Sequence, residues 1–344
     1  MRIRNRRRVL YFAGSIILLL SFSLNAVLIQ RYELLTKIQY KITGLFEAAP
    51  ETFSEPYDES DNRPVVFHLT GNVIVEVDSA DLDGGDPLPE DLIIKRGHYR
   101  FSGKEYLLTD EGLYRFVLPG RINLQRIVYD DDVDALLSAI SWIGTHGYSD
   151  DEKSHQELSN KALNSKLLIS CGPISNWGHF LMNDQDITTR IVGTLTLDEW
   201  NTYDNGHTLL EVWRDRWSKW VLYDLDNNAY FTSREDNVPL SLVEFSDLVT
   251  KDGYEIIYLS SDTRVDVSDL SATSGYNYSF ISETVQANIR DWYKRVIQVP
   301  LIYSESESIF YFTDTLNEQI IESYSESYIG LDEIEFNKRF YPGD

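Results

Sequence analysis

Gly206-His207-Thr208-Leu209-Leu210-Glu211-Val212-Trp213 and, after a short polar break, Trp220-Val221-Leu222-Tyr223-Asp224-Leu225-Asp226 decide how this chain folds. Thr208–Trp213 and Trp220–Leu225 are rich in β-branched, aromatic and aliphatic residues and read as two strands. Joined by a tight turn at Asp215-Arg216, they pair antiparallel with facing residues whose numbers sum to 431, which sets His207 opposite Asp224. Directly opposed side chains share a face, with Cβ atoms about 4.5–5.5 Å apart. That separation suits a carboxylate accepting from an imidazole N–H.

Working outward, the preceding strand is Arg190–Leu197, and before it stands Ser170-Cys171-Gly172-Pro173-Ile174-Ser175-Asn176-Trp177. Cys171 is the single cysteine of 344 residues. A lone cysteine is most often a small buried hydrophobe. Here Pro173 suits the first turn of a helix over Ile174–Met182, which places Cys171 at a helix N-terminus, where the dipole favours thiolate. A thiol, then a histidine, then an aspartate make a nucleophile, its base and the group that fixes the base's tautomer.

Cys-Gly-x-x-Ser, Thr189-Arg190-Ile191-Val192-Gly193, Gly-His-Thr-Leu-Leu-Glu-Val-Trp and Trp-x-x-Tyr-Asp-Leu-Asp together resemble the transglutaminase-like superfamily. The resemblance covers about Leu158 to Tyr230. It implies a papain-like α+β core, with Cys171 as nucleophile, His207 as general base and acid, and Asp224 as the orienting group. Arg190 matches an arginine that is structural in this reading. The family commonly has glycine four residues before that arginine, where this chain has Asp186. No Gln or Trp just upstream of Cys171 completes an oxyanion hole; Asn164 and Trp142 are the candidates within reach. Glu211, on the strand face of His207, is a candidate acceptor behind it. His179, two helical turns past Cys171, reads as a packed histidine rather than a second base. Trp177, Trp200 and Trp213 read as core aromatics.

The flanks are less specific. Residues 1–8 hold five arginines and no acid, and Val9–Ile29 carries no charge. That length spans a hydrocarbon layer as a helix, with the arginines retained in the cytoplasm. A cleaved signal peptide shares the charged start, but its apolar region is shorter and ends in a small-x-small site. The sequence therefore predicts a single-pass anchor over 1–31, a stalk and linker over 32–63, a β-rich region over 64–128, the core over 129–300 and a C-terminal extension packed on it over 301–344. The main domain is then periplasmic or extracellular, and the absent disulfides suit a bacterial envelope.

Residues 32–344 hold all 55 acidic residues and 25 of the 31 basic ones, a formal charge of −30. Such a surface excludes a nucleic-acid partner. His68, His98, His146 and His155 have no metal-ligand spacing, and Asp78, Asp81, Asp83 and Asp86 lack the calcium-loop pattern, so no metal or cofactor is implied. Asp130, Asp131, Asp132 and Asp134 precede an apolar helical stripe and read as capping. Further expectations are a helix over Leu158–Ile169, a strand over Glu255–Leu259, a helix over Ile281–Val296, a strand over Ile309–Phe312 and a short helix over Leu316–Tyr324. The function these features imply is a membrane-anchored thiol enzyme hydrolysing or transferring acyl groups of peptide or side-chain amides. The alternative is a catalytically inactive binding or scaffolding module.

Overall fold

The computed structural model describes residues 65–68, 73–74, 84–118, 122–196, 206–259, 289–304, 309–312 and 328–342. They form an α+β domain centred on an eight-stranded sheet. Its strands are β11 (Thr189–Leu195), β12 (Thr208–Arg214), β13 (Lys219–Asp224), β14 (Ala229–Ser233), β15 (Tyr254–Tyr258), β16 (Val299–Tyr303), β17 (Ile309–Phe312) and β18 (Tyr328–Leu331), in the order 15-14-13-12-11-16-17-18. All neighbours are antiparallel except β17 and β18.

Both faces of the sheet are covered, which is why β12 and β13 read as nearly continuous apolar runs. On one face lie α1 (Val133–Ile143) and α3 (Cys171–Asn183), which pack Ile140, Ile174 and Trp177 against Leu210, Val212, Val221 and Tyr223. Among the buried positions of α3, Ile174, Trp177, Gly178 and Leu181 have the i, i+3, i+4, i+7 spacing of an amphipathic helix. On the other face, α4 (Leu242–Val249), a helix over 289–296 (α5) and α6 (Glu333–Phe340) enclose Leu209, Leu222 and Phe231 with Phe245, Tyr293 and Phe336. Fully burying one such side chain contributes about 1.5–3 kcal/mol.

Ahead of this core, β1 (Val65–His68), β2 (Val73–Ile74), β4 (Ile93–Ile94), β7 (Gly112–Leu118) and β8 (Ile122–Val128) form a five-stranded sheet. Leu92, Leu113 and Ile127 join it to the cluster around α1. The strands β3 (Asp86–Pro87), β5 (Gly97–Phe101) and β6 (Lys104–Leu108) form a three-stranded sheet. Its hairpin turns at Ser102 and Gly103, both with positive φ, as a two-residue turn matched to strand twist requires. Asp132 caps α1 by accepting from the Asp134 and Ala135 N–H groups.

Several expectations are corrected. The chain over Leu158–Ile169 is not one helix: α2 (His155–Ala162) ends, and β10 (Leu167–Ile169) pairs in parallel with β9 (Gly144–His146). The β12–β13 hairpin closes through the four residues 215–218 rather than two, so facing residues sum to 433, as in Leu210 with Tyr223. His207 and Asp224 are therefore not directly opposed. A slip of two residues keeps both on the same face, because side-chain direction repeats every second residue.

The expected membrane-spanning helix and the topology built on it are also corrected. Among the described residues no helix is long and apolar enough to cross a membrane. The longest with a fully described span, α3, has 13 residues, about 20 Å against a hydrocarbon core of about 30 Å. The stretch 9–29, the stalk and linker over 32–63 and the helix expected over Leu316–Tyr324 lie outside the described residues. A membrane partner, a single-pass topology and an extracytoplasmic location are accordingly not carried forward.

Candidate functional site

Cys171 is the first residue of α3, with Ser170 in the N-cap position. Serine at an N-cap ordinarily accepts from the first-turn N–H groups. Ser170 instead faces away: its hydroxyl and its N–H both donate to Asp151, at 2.7 and 2.9 Å, and it makes no capping bond. The positive end of the helix is thus left to the thiol.

His207 immediately precedes β12, and Asp224 ends β13 at the same end of the sheet. Although diagonal in register, their side chains meet, with His207 Nε2 donating to Asp224 Oδ2 at 3.0 Å. Diagonal neighbours are about 7–8 Å apart, with Cβ atoms somewhat closer, within reach of an imidazole. That bond leaves Nδ1 of His207 without a carboxylate partner, and the His207 side chain and the Thr208 backbone are near enough to Cys171 to act on its thiol. The structure therefore brings Cys171, His207 and Asp224 together.

The electrostatics follow from burial and pairing. Burial by itself pushes the Cys171 thiol up, but the hydrogen bond and charge of His207 outweigh it and hold the thiol below its ordinary value. Burial penalises charge on His207, yet Asp224 and Cys171 together lift it well above the usual imidazole range. Burial also works against the Asp224 carboxylate, and His207, Asn227 and Tyr293 overcome it, so Asp224 stays below the usual range. All three directions favour the charged forms, thiolate on Cys171, imidazolium on His207 and carboxylate on Asp224.

Asp224 is held by more than histidine. Oδ1 accepts from the backbone N–H groups of Asp226 and Asn227, closing an Asx-type turn. Oδ2 also accepts from Asn227 Nδ2 at 2.8 Å and from the Tyr293 hydroxyl at 2.7 Å. Trp292, next along α5, packs edge-on against the His207 ring at 4.8 Å between centroids. Behind Thr208 stands Tyr303, whose phenol is pushed up to about 12, first by burial.

The remaining sequence candidates fall elsewhere. Trp142 is a core residue with the Lys166 ammonium 3.3 Å from its ring centroid, and Asn164 is exposed in the turn after α2. Glu211 does not support His207. It accepts from Arg190 Nε at 2.7 Å, from the Leu242 N–H at 2.7 Å and from the Tyr341 hydroxyl at 3.0 Å, tying α4 and the C-terminal segment to the sheet. Arg190 completes that tie by donating to the Phe340 carbonyl. Both nitrogens of His179 are engaged, by Thr189 and Asn183. Trp177 is core and donates to Ser159, Trp213 packs on Trp220, and Trp200 lies outside the described residues. Asp186, where the resembling family has glycine, adopts a left-handed φ of 58°, a conformation glycine favours and aspartate tolerates.

Three contributors had no legible role in the sequence: Trp292, Tyr293 and His146. The first two stand more than 60 residues beyond Asp224, on a helix whose stripe reads as core. His146 ends β9 and pairs in register with Ile169, two residues before Cys171. Among the described residues no group of three His, Cys, Asp or Glu is arranged to hold a metal ion.

Comparison with known proteins adds no relative. No family model matches the sequence, no curated protein matches it, and no solved structure matches the chain.

Proposed function

We propose that this chain is a cysteine-dependent acyl-transfer enzyme of the transglutaminase-like kind, acting on peptide or side-chain amides. The observation that carries the reading is a thiol at an uncapped helix N-terminus, beside a buried histidine that lowers it and whose Nε2 is fixed by a fully buried carboxylate. The Cys171 thiolate attacks the amide carbonyl carbon, and the π pair moves onto oxygen. As that intermediate collapses, the imidazolium of His207 passes its proton to the departing amine, leaving a thioester on Cys171. Water then gives a proton to His207 and attacks the thioester. The acid departs, and thiolate and imidazolium are restored. An amine in place of water gives transamidation. Hydrolysis is the favoured outcome, because Cys171 is only partly buried and not sealed from solvent.

The test is intact-mass analysis of the full-length protein after brief exposure to iodoacetamide at neutral pH, alongside His207→Ala and Asp224→Ala. Rapid addition to the single thiol, slowed in both variants, is the expected result. Slow addition at one common rate in all three proteins would leave an inert cysteine and favour the binding-module alternative.

A further inference from the structure

A second imidazole–carboxylate pair adjoins the first. His146 Nδ1 lies 2.7 Å from Asp226 Oδ2, and the Asp226 backbone N–H donates to Asp224 Oδ1, so one turn anchors both pairs. The strand register sets His146 beside Ile169, just ahead of Cys171. Its ring is 43% exposed, and Nε2 makes no hydrogen bond to any described residue. The ring of Tyr148 stands edge-on against it at 5.7 Å, and Cys171 and His207 are near enough to act on its charge. An imidazole pinned through one nitrogen on a partly exposed side chain keeps its other nitrogen free to contact a bound molecule.

We propose that His146 is a second catalytic imidazole of this site, donating from Nε2 to the carbonyl oxygen of the acyl group that Cys171 attacks. The proposal rests on the acyl-transfer reading above. When the sulfur–carbon bond forms, the carbonyl π pair becomes an oxyanion, and collapse of the intermediate returns the pair and expels the leaving group. The oxyanion thus needs donors only in the transition state and the intermediate. One is available in the first-turn N–H groups of α3, which the N-cap Ser170 leaves uncapped. His146 supplies the side-chain donor that neither Trp142 nor Asn164 is placed to give. Its protonation is favoured, first by the hydrogen bond to Asp226, against burial, with the Cys171 charge assisting and His207 opposing.

Two reactions of the same sulfur separate this role from a structural one. Acetylation by p-nitrophenyl acetate passes through an oxyanion, whereas alkylation by iodoacetamide is a direct displacement and forms none. Both are followed on the full-length protein, by p-nitrophenolate release and by mass. In His146→Ala acetylation is expected to fall on the order of 100-fold, while alkylation stays close to the parent rate. His146→Gln, which keeps an N–H donor, is expected to recover part of the loss. Acetylation at the parent rate in His146→Ala would overturn the proposal. So would an equal fall of both reactions in both variants, which would make His146 a structural prop. A parent protein that alkylates rapidly but is never acetylated would refute the acyl-transfer reading itself, and the role of His146 with it.

Discussion

Replacing Tyr293 with phenylalanine removes one oxygen from the site and leaves every carbon in place. The Tyr293 side chain is fully buried, and its hydroxyl donates to Asp224 Oδ2 at 2.7 Å. A hydrogen bond to a charged group contributes about 1.5–3 kcal/mol net. Asp224 keeps its bonds from the Asp226 and Asn227 N–H groups, from Asn227 Nδ2 and from His207. The lower half of the range therefore applies, and Tyr293→Phe should cost about 2 kcal/mol, a large share of a total stability of about 5–15 kcal/mol. The pH dependence has a definite sign. The folded Asp224 carboxyl lies below its unfolded value, so its contribution is complete above the unfolded pKa of about 3.9 and is lost as pH falls through the folded value. Tyr293 bonds the ionised form, so the deficit of the variant is constant around neutrality and narrows in acid. Urea unfolding followed by tryptophan fluorescence reads both, as a lower midpoint at unchanged slope. A variant within about 0.5 kcal/mol of the parent at neutral pH, or a deficit that persists undiminished in acid, would refute this account of Asp224.

Other consequences are as direct. Glu211→Gln leaves the largely buried Arg190 guanidinium without its carboxylate; breaking a buried pair costs about 3–5 kcal/mol, and calorimetry should show a lower Tm in proportion. In Gly178→Ala the new methyl meets Leu225 Cδ1 at 2.6 Å. An overpacking cost of about 1–3 kcal/mol then opposes a helix gain of about 1 kcal/mol, and chemical unfolding should show a net loss. Because Cys171 is held below its ordinary value, alkylation of the parent should stay fast well below the usual thiol pKa of about 8.5. In Asp224→Asn the buried imidazole loses its counter-charge, and the acid limb of the rate–pH profile should move upward. An unmoved limb would mean that Asp224 has no hold on the thiol.

What was legible in the sequence was periodicity and short-range order. The two strands around His207 and Asp224, the helix that opens at Cys171 and the aspartate cap of α1 all follow from local pattern. The face shared by His207 and Asp224 survived an error in turn length because only the parity of the register matters there. Leu158–Ile169 was misread because a short apolar run fits helix and buried strand equally. The partner that makes Leu167–Ile169 a strand is Gly144–His146, more than 20 residues back. The same distance hides His146 and Tyr293, which reach the site from elements with no chemical pattern of their own. Glu211 shows the opposite limit: its strand face was read correctly, but its partners Arg190 and Tyr341 come from β11 and from the C-terminal segment. The anchor expected near the N-terminus rested on composition alone, and no helix among the described residues is long and apolar enough to cross a membrane.

The site has a kinetic consequence through the way its parts are distributed along the chain. His146 and Cys171 belong to one short segment, β9 through α3, and His207, Asp224 and Asp226 to another, the β12–β13 hairpin with its following turn. Each segment closes over a modest length of chain, which favours rapid formation. The contact that lowers the thiol, Cys171 with His207, crosses between the segments, and so does the bond of His146 to Asp226. Until they dock, Cys171 is an ordinary thiol with little thiolate at neutral pH. A nascent or refolding chain is thereby spared premature acylation, and the onset of rapid alkylation marks the moment at which the two halves meet.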